Sequence, residues 1–344
     1  MHEPRTDVMC STIPNIAKSD QLTLGQVLLV LRQEHDEKTV QQLTRKYCLQ
    51  SSSEEIRKKG MEFLYMNGHY EDLQQLIEIN KFSGSLSSRN WASVYQLALD
   101  RKQQTYSSDE IYRRANSLQT DEPELKALLE FIKIAIHYRR NAYGEFGNFV
   151  EKLYKLFDKI NDRFLLSFFH IRLYQNLFVY YLVRNEVLIA RKYAFRALNR
   201  VTNPATKVNL HVNLGLSYVY ETYDQGMYHL RKGLEIAQAE QMNQQAEAIE
   251  QQNIPFLSAH FGKVDGITST DKSEQAHIEI AKGNYKQAEA ILSDIDLNSP
   301  FRLYYLGMAK QSKNLLHQSY NYFIKKRSDY FFSRLPLNAL REIW

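Results

Sequence analysis

Ala281-Lys-Gly-Asn-Tyr285-Lys-Gln-Ala288 is a short polar turn between two helical stretches, and its reading decides the fold. Beyond the turn, Ala288, Ile291 and Ile295 recur at three-and-four spacing, which is one apolar helix face. The same unit is found elsewhere. Leu182-Val-Arg-Asn185-Glu186 leads into the stripe Val187, Ala190, Ala194 and Ala197, and Tyr220-Glu-Thr-Tyr-Asp224 leads into Met227, Leu230, Leu234 and Ala237. An earlier copy is Met66-Asn-Gly-His-Tyr70, and a looser one is Tyr143-Gly-Glu-Phe-Gly-Asn148. Each turn joins two helices into a hairpin. Small residues such as Gly215 and Ala288 belong at the crossings, where the paired helices must approach closely.

The turn at Ala281–Ala288 reads like that of a tetratricopeptide repeat, whose period is about 34 residues. Such hairpins cannot bury their apolar faces alone, so they stack, and the stack presents a concave peptide groove. The expected fold is therefore all-α, a right-handed superhelix of TPR-like hairpins. A chain of 344 residues with 44% hydrophobic and 24% charged residues, and with only 13 Gly and 7 Pro, supports a sizeable core and excludes disordered and collagen-like classes. The apolar run Phe164–Val183 carries His170, Arg172, Gln175 and Asn176, and an Arg near a helix centre costs at least about 2.5 kcal/mol in a bilayer. A buried helix is expected there, with no membrane span. The N-terminus MHEPRTD lacks an apolar signal region, and two cysteines make no disulfide framework, so the chain reads as cytoplasmic.

The N-terminal residues 1–51 differ from the remainder, 52–344. Leu22 to Arg32 makes a strongly apolar helix, Lys38 to Leu49 a second, and Ser11-Thr-Ile-Pro-Asn-Ile-Ala-Lys18 resembles the end of a recognition helix without the first half of a helix-turn-helix. The region is read as a partial or degenerate DNA-binding motif, or else as a capping helix pair. Lys18, Arg32 and Lys38 are basic residues within it. The net charge of +5 permits nucleic acid without requiring it.

Chemistry-bearing motifs are absent: there is no phosphate-binding glycine loop, no His-Glu-x-x-His and no nucleophile elbow. The expectation is no enzyme, no cofactor and no metal. The informative residues are polar ones on the first helices of the hairpins. These are Arg172, Gln175 and Asn176, then Asn209 and Asn213, then Gln275 and His277. Asn and Gln both donate and accept, so a ladder of them holds an extended peptide backbone. Leu303-Tyr-Tyr-Leu306 reads as repeat core.

Several stretches resemble the arbitrium receptor family (AimR) of Bacillus phages. They are Arg45-Lys-Tyr-Cys-Leu49, His211-Val-Asn-Leu-Gly215, Tyr223-Asp224, Lys232-Gly-Leu-Glu-Ile-Ala-Gln238, Leu303-Tyr-Tyr-Leu306 and Tyr330-Phe-Phe-Ser-Arg-Leu-Pro-Leu337. The resemblance runs from about residue 13 onward, and Arg334-Leu-Pro-Leu337 is its most specific element. It implies a host-cytoplasmic receptor that binds a peptide of about six residues, contacts DNA and governs the phage choice between lysis and lysogeny. Peptide binding would silence its activation of a small regulatory transcript. The family's peptide-clamping asparagines fall by spacing either on Val179, Val183 and Leu216 or, three residues earlier, on Asn176, Tyr180 and Asn213; the second placement keeps two amides and is adopted. Asp329, just before the signature, is expected either to meet a cationic peptide residue or to cap a helix. The chain stops at Trp344, short of the family's terminal dimerisation helix, so a monomer or weak homodimer is expected. A scaffold that keeps the groove without DNA binding is the alternative.

Overall fold

The computed structural model describes residues 22–342, so the Ser11–Lys18 string lies outside the described residues. Every regular element among them is helical, as the hairpin reading requires. The chain divides into two compact units: residues up to Ile136 with Asn148–Arg172, and His137–Gly147 with Leu173 onward. The boundary expected from the sequence at residue 51 falls inside the first unit.

The first unit opens with α1 (Leu24–Glu34) and α2 (Glu37–Gln50). Thr23 and Gln26 close a reciprocal capping box at the start of α1, and Asp36 accepts the Lys38 and Thr39 amides at the start of α2. Then follow α3 (Glu54–Asn67), α4 (Tyr70–Lys81), α5 (Leu86–Gln103) and α6 (Ser108–Ser117). The α3–α4 turn is the quoted Met66–Tyr70 segment, reversed through Gly68 at φ +84°. Three helices are divided by sequence between the units: α7 (Pro123–Arg139), α8 (Phe146–Phe157) and α9 (Arg163–Val183).

In the second unit the hairpins continue as α10 (Val187–Leu198), α11 (Pro204–Ser217), α12 (Tyr223–Ala239), α13 (Asn243–Ala248) and α14 (Ile254–His260). They are followed by α15 (Lys272–Ala281), α16 (Tyr285–Ser293), α17 (Pro300–Ala309), α18 (Lys313–Tyr322) and α19 (Arg334–Glu342). The small residues sit at crossings as expected. A Cβ on Gly215 would stand 2.8 Å from the Leu230 side chain and 2.9 Å from the Gly226 carbonyl, so α11 and α12 touch backbone to backbone. Ala190, Ala194 and Ala197 are wholly buried, as are Leu230, Ala237 and Ala288. The third stripe is turned slightly from the expectation: after Ala288 the next buried residue is Leu292, one position beyond Ile291.

The Arg334-Leu-Pro-Leu337 signature has a structural role in this unit. The Tyr330 and Phe331 amides both donate to the Val183 carbonyl, at 2.7 and 3.2 Å, and the Tyr220 hydroxyl donates to the Phe331 carbonyl at 3.1 Å. Arg334 lies 3.9 Å over the Tyr220 ring and donates to Asn185. The C-terminal turn is thereby fastened to the ends of α9 and α11, with Leu335 buried behind it. No described helix is long and apolar enough to cross a membrane.

Candidate functional site

Two departures from α-helical geometry build the site. Residues Ile249–Asn253 and Phe323–Arg327 are π-helical, and both feed one cavity of about 270 Å³ in the second unit. Inserted π turns are rare and recur at functional sites, because the extra residue turns side chains that a regular helix would aim elsewhere. The first has a local cause. Pro255 has no N–H to offer the carbonyl of Gln251, and Ser269 Oγ donates to that carbonyl instead, at 2.5 Å. The turn delivers Gln252 and Asn253 to the cavity, and the second turn delivers Arg327.

Asn141 and Tyr143, from the connection after α7, supply another wall. Asn141 takes a left-handed backbone at φ +53° and accepts the Tyr143 hydroxyl at 2.9 Å. Phe256, Phe301 and Phe332 pack edge to face, with ring centroids 5.2 to 6.2 Å apart, and form an aromatic wall. The acids are Glu274, which accepts the Tyr305 hydroxyl at 3.1 Å, and Asp329.

Asp329 is only 4% exposed, and no described cation lies within ion-pair distance of it. Desolvation pushes its carboxyl up to about 6, opposed by the amides of Phe332 and Phe331 and by the more distant Arg327. One oxygen accepts the Phe332 N–H at 2.9 Å. Asp329 thus caps the 330–333 turn, one of the two roles expected for it, and it also lines the cavity. A buried carboxylate without a partner is costly, and a ligand cation or donor would relieve that cost.

The other candidate residues are dispersed. Arg172 belongs to the first unit, where its guanidinium spans both oxygens of the fully buried Glu62 at 2.9 and 2.6 Å and lies 4.5 Å over the Tyr65 ring. It is a core ion pair, which corrects the expectation of a groove position: α9 passes from one unit to the other, and counting back from its turn could not reveal the division. Gln175 and Asn176 are half-buried on the same helix in the second unit. Asn209 is exposed; Asn213 donates to the Asn209 carbonyl at 2.8 Å and also bonds Tyr138. Gln275 ties down the preceding loop through the Ser269 carbonyl at 2.8 Å. His277 is buried and lines a neighbouring cavity, with its ring stacked on Tyr305 at 4.4 Å. Leu216, from the placement not adopted, faces the cavity, whereas Asn213 does not line it. Tyr305, read as core, is buried and contributes to the wall as well. The residues missed were Gln252, Asn253, Glu274 and Arg327, and Pro255 after a run of amides was the available signal for the first two.

Fold and cavity together define a helical-hairpin repeat protein with a recessed site of acids, amides and aromatic rings. The family model described as AimR transcriptional regulator-like matches residues 40–342, and the chain belongs to that family. The AimR transcriptional regulator of Bacillus phage phi3T is 22% identical over 344 residues, covering 96% of this chain and 88% of that protein. An uncharacterized Bacillus anthracis protein, pXO2-35, is 24% identical over 243 residues, covering 67% of this chain and 90% of its own length. The solved phAimR-Ligand structure superimposes with a TM-score of 0.77 at 21% identity, over 94% of this chain and 98% of that one, which establishes the common all-α fold. A phAimR structure with selenomethionine gives a TM-score of 0.71 at 20% identity, over 96% and 88% of the two chains.

Proposed function

We propose that this chain is a cytoplasmic peptide receptor of a phage or phage-derived element, whose occupancy by a short peptide controls contact with DNA and thereby the choice between lysis and lysogeny. The observation that carries the reading is the buried, unpaired Asp329 in a cavity built by two π turns, beside Glu274 and the amides of Asn141, Gln252 and Asn253. Peptide backbones offer alternating donors and acceptors, and amide side chains answer both. A cationic side chain answers Asp329. Family membership supports the regulatory half of the reading.

The DNA-facing part is assigned to the N-terminal residues 1–51. Arg32 there is already paired with Glu37 at 3.3 Å, and Lys38 is exposed. Regulation requires that the peptide bind one conformation better than another, since equal affinity for both shifts nothing. Fluorescence anisotropy of a labelled operator-like duplex, titrated with the chain over a range of salt and then with peptide, tests this. The expected result is steeply salt-dependent binding that the peptide alters. No retention of DNA at low salt would instead favour a peptide-binding scaffold.

A further inference from the structure

Three helices of the second unit carry two sets of lining residues about one turn apart. On α14, Phe256 lines the cavity described above, and His260 lines a second one of about 340 Å³. On α15 the corresponding pair is Glu274 and His277, and on α17 it is Tyr305 and Met308. Residues three or four apart share a helix face, so the two cavities lie end to end along the same faces. Rings lie at their junction: His277, lining the second, stacks on Tyr305, lining the first, at 4.4 Å and lies 5.6 Å from Phe256. The far wall is α19, through Leu335, Asn338 and Ala339.

Size and charge decide what this space suits. An extended hexapeptide spans up to about 20 Å, and pockets that enclose a ligand of drug size run from about 300 to 1,000 Å³. The first cavity, at about 270 Å³, holds part of such a peptide; the two in line hold much more. The second has no cation in its lining, and its one carboxylate, Glu342, is exposed. His260 is kept neutral, because burial and the neighbouring His277 depress it to about 4. His277 is 4% exposed and its Nδ1 has no hydrogen-bond partner, with the Glu274 carboxylate 3.5 Å away. Met308 and Leu335 supply apolar surface, and Asn338 and the Tyr304 hydroxyl supply neutral polar groups.

We propose that this second cavity is a specificity compartment that takes an uncharged, predominantly apolar side chain of the peptide whose remainder lies in the first. The inference rests on the first cavity being a peptide site. Anionic side chains are excluded because nothing in the lining would pair with them, and a lysine or arginine would lose its hydration against a neutral histidine and apolar walls.

The test is affinity-selection mass spectrometry of the full chain with a positional-scanning hexapeptide library, followed by calorimetry of the selected peptides. One position of the peptide is expected to favour Leu, Met or Phe over Asp and Lys by tenfold or more. Met308→Trp and, separately, Ala281→Phe fill the compartment from half-buried positions, and each is expected to erase that preference while a peptide with Gly at the position still binds. Wild-type binding with no uncharged preference, or a preference that survives in both variants, overturns the compartment and leaves the first cavity standing. Absence of binding by any hexapeptide overturns both.

Discussion

Replacing Asp329 by Asn separates the ligand role of this carboxylate from its structural one. Burial raises its pKa from the ordinary 3.8 to about 6, against the pull of the Phe332 and Phe331 amides and Arg327. The native state therefore holds the proton more tightly than the unfolded chain does. Stability contributed in this way is present below about pH 4 and is lost as pH rises through about 6. The interval corresponds to about 3 kcal/mol at about 1.4 kcal/mol per pH unit. Asn retains an oxygen that accepts the Phe332 N–H and carries no charge to desolvate. The Asp329→Asn variant is accordingly expected to match wild type near pH 4 and to be more stable at pH 8 by up to about 3 kcal/mol. For a unit of this size that raises Tm by about 6–12 °C. Differential scanning calorimetry of the ligand-free chain at pH 4, 6 and 8 reads the effect, and the cavity's other charged groups, Glu274 and Arg327, are common to both proteins. A variant less stable than wild type at pH 8, or a difference independent of pH, would leave Asp329 as a turn cap with no desolvated charge.

Gly215→Val forces a branched side chain against Leu230 and the Gly226 carbonyl, and urea unfolding is expected to show a loss of about 1–3 kcal/mol or more. Arg172→Met leaves the buried Glu62 carboxylate without its bidentate partner and is expected to cost about 3–5 kcal/mol, whereas the double replacement Arg172→Met with Glu62→Leu recovers most of it; equal losses would contradict the pair's role. Because Arg172 is a core residue of the first unit, Arg172→Lys is expected to lower thermal stability and leave peptide affinity within about twofold, the opposite of what a groove residue would show.

Hairpins were legible wherever a turn carried glycine or repeated a known pattern, as at Met66–Tyr70 and Ala281–Tyr285. The α17–α18 hairpin was not, because its turn places Gln311 rather than Gly in the left-handed region, at φ +49°. The α5–α6 turn does the same with Gln104 at φ +60°. Asp329 is singled out in the sequence because it precedes a distinctive signature. The amides of the cavity were not, because a π insertion shifts side chains by one position without any change in composition. Polarity on a first helix proved a weak guide for a related reason. Arg172, Gln275 and Asn213 spend their polar groups on an internal carboxylate, a loop and their own helix, and only the packed structure distinguishes such uses from a free groove.

The proposed function rests on a short peptide binding in the Asp329 cavity. Isothermal titration of the purified chain with hexapeptides that carry an arginine or lysine tests this, with Asp329→Asn and Asn253→Ala beside the wild type. Micromolar or tighter binding is expected, weakened at least about tenfold in each variant, as when a partner of a charged or buried polar group is removed. Binding of equal strength in all three proteins, or no heat with any peptide, would contradict it.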